Sequence, residues 1–449
     1  MNNKLITSLA LVVAASSSAT WAKVSPTEAD KLGKQLTEMG AEKAGNKAGT
    51  IPVYTGGLSM DKSADLYSNA SLQSEKPLFV ITTKNLDKYA ANLSDGQKAM
   101  FKKYPDTYKM PVYKTHRTAH TTKNIAQKVK KNATTAELIG GGNGIINFDE
   151  SIPFAIPKTG VEVIWNHITR YRGGSIERRS ANIPVQASGD YSTVKIKAKF
   201  TTPPYLKGGF NAEKDDNILF YFMSSITSPA RLSGDVVLVH ETLDQVAQPR
   251  MAWAYSAGQR RVRRAPQIAY DAPSQASDGM RTTDQVDMFN GSPDRYDWKL
   301  LGKQEIYIPY NSYDLADRDA KYDDIIQKGH LNQDYTRYEL HRVWKVEATL
   351  AEGSRHIYGK RTFYVDEDTW QVALVDHFDQ RDVLWRMAEG HAMPVVTQGT
   401  TWYAGMTSYD LQSGRYMAEL NNEEKDAFKF DSTFKRKMFT SSALRRAGR

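Results

Sequence analysis

From Ser175 onward the hydrophobic period of this chain becomes two, and segment after segment keeps it. The clearest is Tyr338–Leu350. Tyr338, Leu340, Trp344, Val346, Ala348 and Leu350 share one face, and Glu339, His341, Lys345, Glu347 and Thr349 share the other. Such alternation sends one face of a strand into a core and leaves the other to polar surroundings. The same period predicts strands over 191–201, 217–225, 235–243, 251–255, 260–264, 357–365, 370–378, 383–389, 401–411 and 415–420. Ser256-Ala257-Gly258-Gln259 and Asp366-Glu367-Asp368-Thr369 are the turns of two hairpins. Many strands at hairpin spacing predict a mainly β (α+β) fold: a large curved antiparallel sheet or incomplete barrel, covered by helices.

The helical period precedes this region. Ser25, Pro26 and Glu28 form a start signal, with Leu32, Leu36 and Met39 as a stripe, so 25–39 is predicted helical. Further helices are predicted over 86–92, 95–103, 118–131 and 160–171. The last carries Val161, Ile164, Ile168 and Tyr171 on one side. A segment over 282–289 is a second candidate cover for the sheet. Gly-rich runs at 45–57 and 140–144 read as connections. The domain reading is therefore a leader over 1–22, an N-terminal helical and loop extension over 23–159 that wraps the barrel, and an antiparallel half-barrel over 160–449.

The leader reading rests on Lys4, the short apolar run from Leu5 to Ala15, and small residues ending at Ala22. That run is shorter than the ~20 residues a spanning helix needs. With 0 cysteines, disulfides, thiolate metal sites and an acylated lipoprotein anchor are excluded. The expected compartment is the Gram-negative periplasm. A formal charge of +9 suits an anionic lipid or acidic partner; export argues against nucleic acid, and no transmembrane segment is expected in the mature chain.

Catalytic and metal patterns are weak. His116 and His120 have the spacing of a helical metal pair but lack a third ligand, and a solvated basic helix explains them as well. No Gly-x-Ser-x-Gly elbow is present, and Gly140–Gly144 lacks the Lys-Ser/Thr ending of a phosphate loop. Asp366, Glu367 and Asp368 fall in a turn, where acids serve the backbone. The most unusual stretch is 251–266. There Trp253 and Tyr255 share a strand face, and Arg260, Arg261, Arg263 and Arg264 crowd the return. It reads either as an aromatic wall beside a guanidinium cluster that meets an anionic head, or as a core pair with outward arginines. The candidate wall comprises Phe220, Phe222, Trp253, Tyr255, Trp344 and Phe363, each of which is equally a core residue.

Several longer stretches carry a resemblance. Residues 45–57, the Gly-Gln-Arg-Arg-Val-Arg-Arg-Ala-Pro core within 255–271, and Asp294-Arg295-Tyr296-Asp297-Trp298-Lys299-Leu300 do so in order. So do Arg337–Trp344, Lys360–Trp370 and the terminal Ala443-Leu444-Arg445-Arg446. On these the chain resembles the bacterial family catalogued as domain of unknown function 1329, often described as outer-membrane lipoprotein-sorting proteins. The resemblance implies the incomplete barrel of the lipoprotein-localisation factors, closed by helices over an apolar cavity that takes a lipid-like ligand. It also implies a resistance-nodulation-division type exporter and an outer-membrane protein as partners, and it offers no catalytic residues. The expected function is a periplasmic carrier for a hydrophobic ligand, without enzyme activity or cofactor. A non-catalytic adaptor in an export complex and an exported hydrolase are the alternatives.

Overall fold

One sheet of 16 strands organises the molecule. The computed structural model describes residues 23–448, so the expected leader lies outside the described residues. The long strands are β1 (Ile176–Val185), β2 (Val194–Thr201), β3 (Ile218–Ser228), β4 (Val236–Thr242), β5 (Met251–Ser256) and β6 (Arg261–Arg264), followed by β7 (Tyr296–Pro309), β8 (Tyr338–Leu350), β9 (Lys360–Asp366), β10 (Val372–Phe378), β11 (Leu384–Val395), β12 (Thr400–Asp410) and β13 (Tyr416–Leu420). In space they run β7-β8-β9-β10-β11-β12-β13-β1-β2-β3-β4-β5-β6, antiparallel throughout. Two meanders are thus welded where β13 meets β1, with Ala418 opposite Ile183. β6 and β7 pair with no further long strand, so the sheet stays open. The fold is mainly β, as the alternation predicts.

The helices sit on both sides of the β7–β13 half. Helix α1 (Asp95–Lys103) is capped by Ser94 with Gln97 returning the bond, and α2 (Lys123–Thr135) is capped by Thr122. Helix α3 (Gly160–Thr169) is capped by Thr159 and Glu162 and is buried along its whole length. It lies so close to β7 and β8 that a Cβ on Gly160 would come 2.9 Å from Val346 Cγ1 and 3.0 Å from the Lys299 carbonyl carbon. Its Val161, Ile164, Trp165 and Ile168 share one core with Val346, Phe363, Val375, Ala388 and Tyr403 on the inner face. The outer face is covered by residues of the N-terminal segment, among them Ile51, Leu72, Ile81, Phe101 and Met110, packed on Tyr364, Leu374, Met387, Tyr409 and Tyr416. Helix α4 (Ser441–Ala447) packs against β4, β5 and β6.

Three helical expectations change. The helix expected over 25–39 is a single turn, Pro26–Ala29, because Gly33 at φ +79° takes the chain out of the helical region. The one expected over 118–131 begins only at Lys123, so His116 and His120 lie on extended chain before it. The segment over 282–289 holds one tight turn, Thr283–Gln285, and then Asp287 and Met288 adopt positive φ. Two of the long strands escape the alternation reading. β7 is an edge strand with Asp297, Lys299 and Glu305 partly or fully exposed and a register shift at Gly302. β1 carries Arg178, Ser180 and Asn182 where apolar residues were sought.

Candidate binding surface

The inner face of the sheet divides into a filled half and an open half. Over β8–β13 the expected hollow is occupied by α3 and by the loop 266–295, held down through buried charge. Arg170 and Arg172, at the end of α3, each place an Nη2 2.6 Å from a carboxylate oxygen of Asp287. Arg361 Nη2 lies 2.6 Å and His356 Nε2 3.1 Å from Asp284 Oδ2. Arg281 and Arg178 converge on Glu419 at 2.7 and 2.5 Å. Burial opposes ionisation of Asp284, yet Arg361 and His356 overcome it and hold the carboxyl well below the usual range. Arg170 and Arg172 do the same for Asp287. Burial likewise opposes ionisation of Glu419, but its two arginines hold the group at about 2. His377, whose Nε2 lies 2.9 Å from Gln285 Nε2, is pushed well below its normal value by burial and then by Arg361. The space remaining among Arg281, Gln285, Met288, Ala388 and Met406 is 10 Å³. Beside Ile168, Arg172, Phe200 and Phe220 it is 20 Å³. Cavities of this size hold about one water molecule.

The β2–β6 arm differs. Its outer face is closed: Tyr221, Met223, Val236, Leu238 and Tyr255 pack beneath Phe434, Phe439 and Leu444. On its inner face, Phe200 stands opposite Phe222 and Phe222 opposite Val239. A second row runs Ala198, Ser224, Val237, Ala254, Arg263. Ile196, Ala198, Phe200, Phe222, Val237 and Ala254 all remain partly exposed. Phe222 packs both with this small cluster of Val239, Ala252 and Ala265 and with the main inner core, so the apolar trough is continuous with the protein's interior. Beyond the far ends of β3 and β4, a groove of 1240 Å³ opens between Leu243–Asp244 and the hairpin bearing Ile145 and Ile146. Lys23, Lys131 and Asp149 lie on its wall.

The expected wall residues separate into three places. Phe220 and Phe222 lie on β3, with Phe220 buried 5.1 Å from Phe200 between ring centres. Phe363 is fully buried beneath the loop, 5.4 Å from Phe289 and 5.6 Å from Trp298. Trp344 lies on the same side, parallel to Trp370 at 6.3 Å, with Lys303 Nζ 4.7 Å from its ring centre. Trp253 and Tyr255 point the other way, Trp253 against His240 at 4.9 Å and Tyr255 into the outer core. The arginines divide as well. Arg261 and Arg263 stand opposite Ser256 and Ala254 at the lip of the trough. Arg264 lies over Trp253 at 6.0 Å, and Arg260 takes φ +54° in the turn. All four are exposed, and none forms an ion pair among the described residues. The trough residues Ile196, Ala198 and Val237 were not singled out from sequence. The lysines alternating with them at 195, 197 and 199 were the available signal.

The spacing of His116 and His120 makes no metal pair, and neither residue is on a helix. His116 Nε2 bonds Glu75 Oε1 at 2.7 Å, whereas His120 Nδ1 meets the Gly56 carbonyl oxygen at 3.0 Å. No helix among the described residues is long and apolar enough to cross a membrane.

The sheet order and the loop that fills it are those of a chain whose residues 80–445 match the family described as "Protein of unknown function (DUF1329)". The protein belongs to that family. It is 55% identical over 433 residues to the uncharacterized protein PA3922 of Pseudomonas aeruginosa, covering 95% of this chain and 94% of that one. Among solved structures it is similar to an outer membrane lipoprotein-sorting protein domain, so described, from Vibrio parahaemolyticus. That match has a TM-score of 0.44 and 14% identity, and spans 64% of this chain and 98% of the other. A DUF1329 family protein from Desulfovibrio piger aligns with a TM-score of 0.41 and 17% identity over 61% of this chain and 91% of its own. A LolA superfamily protein from Nitrosomonas europaea aligns with a TM-score of 0.39 and 13% identity over 63% and 98%.

Proposed function

We propose that this protein is a non-catalytic periplasmic carrier that seats a hydrophobic molecule with an anionic head on the inner face of the β2–β6 arm. The observation that carries the reading is the partly exposed apolar surface of Phe200, Phe222, Val237 and Ala254, bordered by Arg261 and Arg263, which form no ion pair among the described residues. Covering a few hundred Å² of such surface is worth several kcal/mol at ~25 cal/mol per Å², and a guanidinium pair gives the head a charge-assisted contact. The ligand thus lies along the arm and outside the filled half. A resistance-nodulation-division type exporter and an outer-membrane protein are its partners in this reading, following the sequence resemblance.

A dansyl-labelled fatty acid titrated into the purified protein tests this. Wild type is expected to enhance dansyl fluorescence, with Phe222→Asp weakening binding about tenfold or more. The Arg261→Glu/Arg263→Glu pair is expected to weaken the acid but not an uncharged dansyl alkane. Equal binding by wild type and Phe222→Asp, or no binding by wild type, overturns the proposal. In the latter case the adaptor role is favoured, in which the arm docks a protein.

A further inference from the structure

Away from the arm, His341 on β8, Asp366 at the end of β9 and Asp368 in the turn before β10 converge. All three are buried, and one ligating atom from each lies within 4.8 Å of the other two. Turn chemistry accounts for only one oxygen of Asp366: Oδ2 accepts from the Thr369 amide at 3.0 Å and from its hydroxyl at 2.7 Å. The other, Oδ1, is enclosed and has no hydrogen-bond partner. It lies 4.0 Å from His341 Nδ1. The opposite ring nitrogen, Nε2, is 3.2 Å from Glu339 Oε2. A proton on Nε2 directed at that carboxylate leaves Nδ1 with a bare lone pair toward Asp366, the arrangement by which a carboxylate orients a metal-bound imidazole. Tyr310 stacks on the same ring at 3.9 Å, and its hydroxyl is also buried without a partner. An enclosed carboxylate oxygen left unpaired costs at least what a lost hydrogen bond does, so its presence calls for an occupant.

We propose that His341, Asp366 and Asp368 hold a divalent cation of the zinc class. Ligands at about 2.0–2.2 Å from a common tetrahedral ion stand ~3–4 Å apart, which the 4.0 Å separation approaches. Asp368 receives Arg117 Nε at 2.8 Å and Nη2 at 2.6 Å, but each of its oxygens keeps a second lone pair. The imidazole favours zinc over magnesium or calcium. Because Arg117 belongs to the N-terminal segment, the ion ties that segment to the sheet through Asp368.

The test uses the whole mature chain, stripped with chelator and dialysed against zinc sulfate or cobalt chloride. Wild type is expected to retain one zinc per chain by elemental analysis, to melt higher with zinc than without, and to show the visible bands of a low-coordinate cobalt site. Asp366→Asn and His341→Gln are expected to lose zinc at least tenfold, and the exposed control Glu213→Gln to keep it. Absence of stoichiometric zinc from wild type, or a wild-type cobalt spectrum in His341→Gln, overturns the site. Should Asp366→Asn fail to fold, the wild-type stoichiometry and the His341→Gln spectrum decide alone.

Discussion

The β8–β13 half and the β2–β6 arm are made from the same antiparallel hairpins, but they are finished differently. In the first, both faces are covered, and strands such as β10 and β12 are buried from end to end. Charged residues there are matched across the structure: Arg361 with Asp284, Arg386 with Asp410, and Glu389 beneath the Tyr338 hydroxyl. In the second, α4 and its neighbours cover the outer face, whereas on the inner face Ile268 and its neighbours close only the part over Val239, Ala252 and Ala265 and leave Ile196, Ala198, Phe200, Phe222, Val237 and Ala254 partly exposed. A strand with two covers has no use for alternation, whereas a strand with one cover keeps it. The uncovered face is therefore where this protein has apolar surface to offer.

Matched truncations sharpen the contrast. Phe363→Ala empties a fully buried site between β8 and β10 and is expected to lower unfolding stability by about 4 kcal/mol in chemical denaturation. Glu389 gives a pH test of the double covering. Burial pushes its carboxyl up to about 8, so the folded chain keeps a proton that the unfolded chain releases near its ordinary value of 4.5. Stability associated with this group is then lost as pH rises from 4.5 to 8 and is level above that. Glu389→Gln is expected to be about as stable as wild type at pH 4.5 but more stable by roughly 3 kcal/mol at pH 7, as followed by melting at several pH values. A gap that fails to widen with pH means that water reaches Glu389. Phe222→Ala, at a partly exposed position of the same residue type as Phe363, is expected to cost only about 1 kcal/mol. A loss matching that of Phe363→Ala would erase the distinction between the two halves. Arg263→Ser is expected to leave stability within about 0.5 kcal/mol of wild type in the same denaturation series, since this side chain has no ionic partner to lose.

Much of the strand pattern was legible because alternation marks a strand, and β8 keeps it where Lys345, Glu347 and Thr349 stay at least partly exposed, although its first half is buried on both faces. Tyr338–Leu350 was read to the residue, the hairpin turns were placed by their turn residues, and α1 was read over its observed span. β1 was not legible because Arg178 is matched by Glu419, a partner 241 residues away that no local window contains. The filling of the hollow was hidden for the same reason: Arg361 and Asp284 are 77 residues apart, and each alone reads as a surface charge. Of the arm surface, Phe222 was named, but Trp253 and Tyr255 were grouped with it although strand pairing puts them on the opposite side. Sequence spacing gives the parity within one strand, not the face relative to its neighbours. The acids of the β9–β10 turn were read as turn formers, which holds for one oxygen of Asp366 and leaves the other unexplained.

The weld between β13 and β1 sets an order of events for a chain that emerges N-terminus first. The β1–β6 meander can zip up from near neighbours as soon as it is made, and so can β7–β13. The seam joining them waits until Tyr416–Leu420 has been made, after every other long strand. Closing so distant a contact is slow on the scale of local hairpins. Until then Ala181–Val185 lacks that neighbour, and the two meanders are ribbons without the pairing that makes them one sheet.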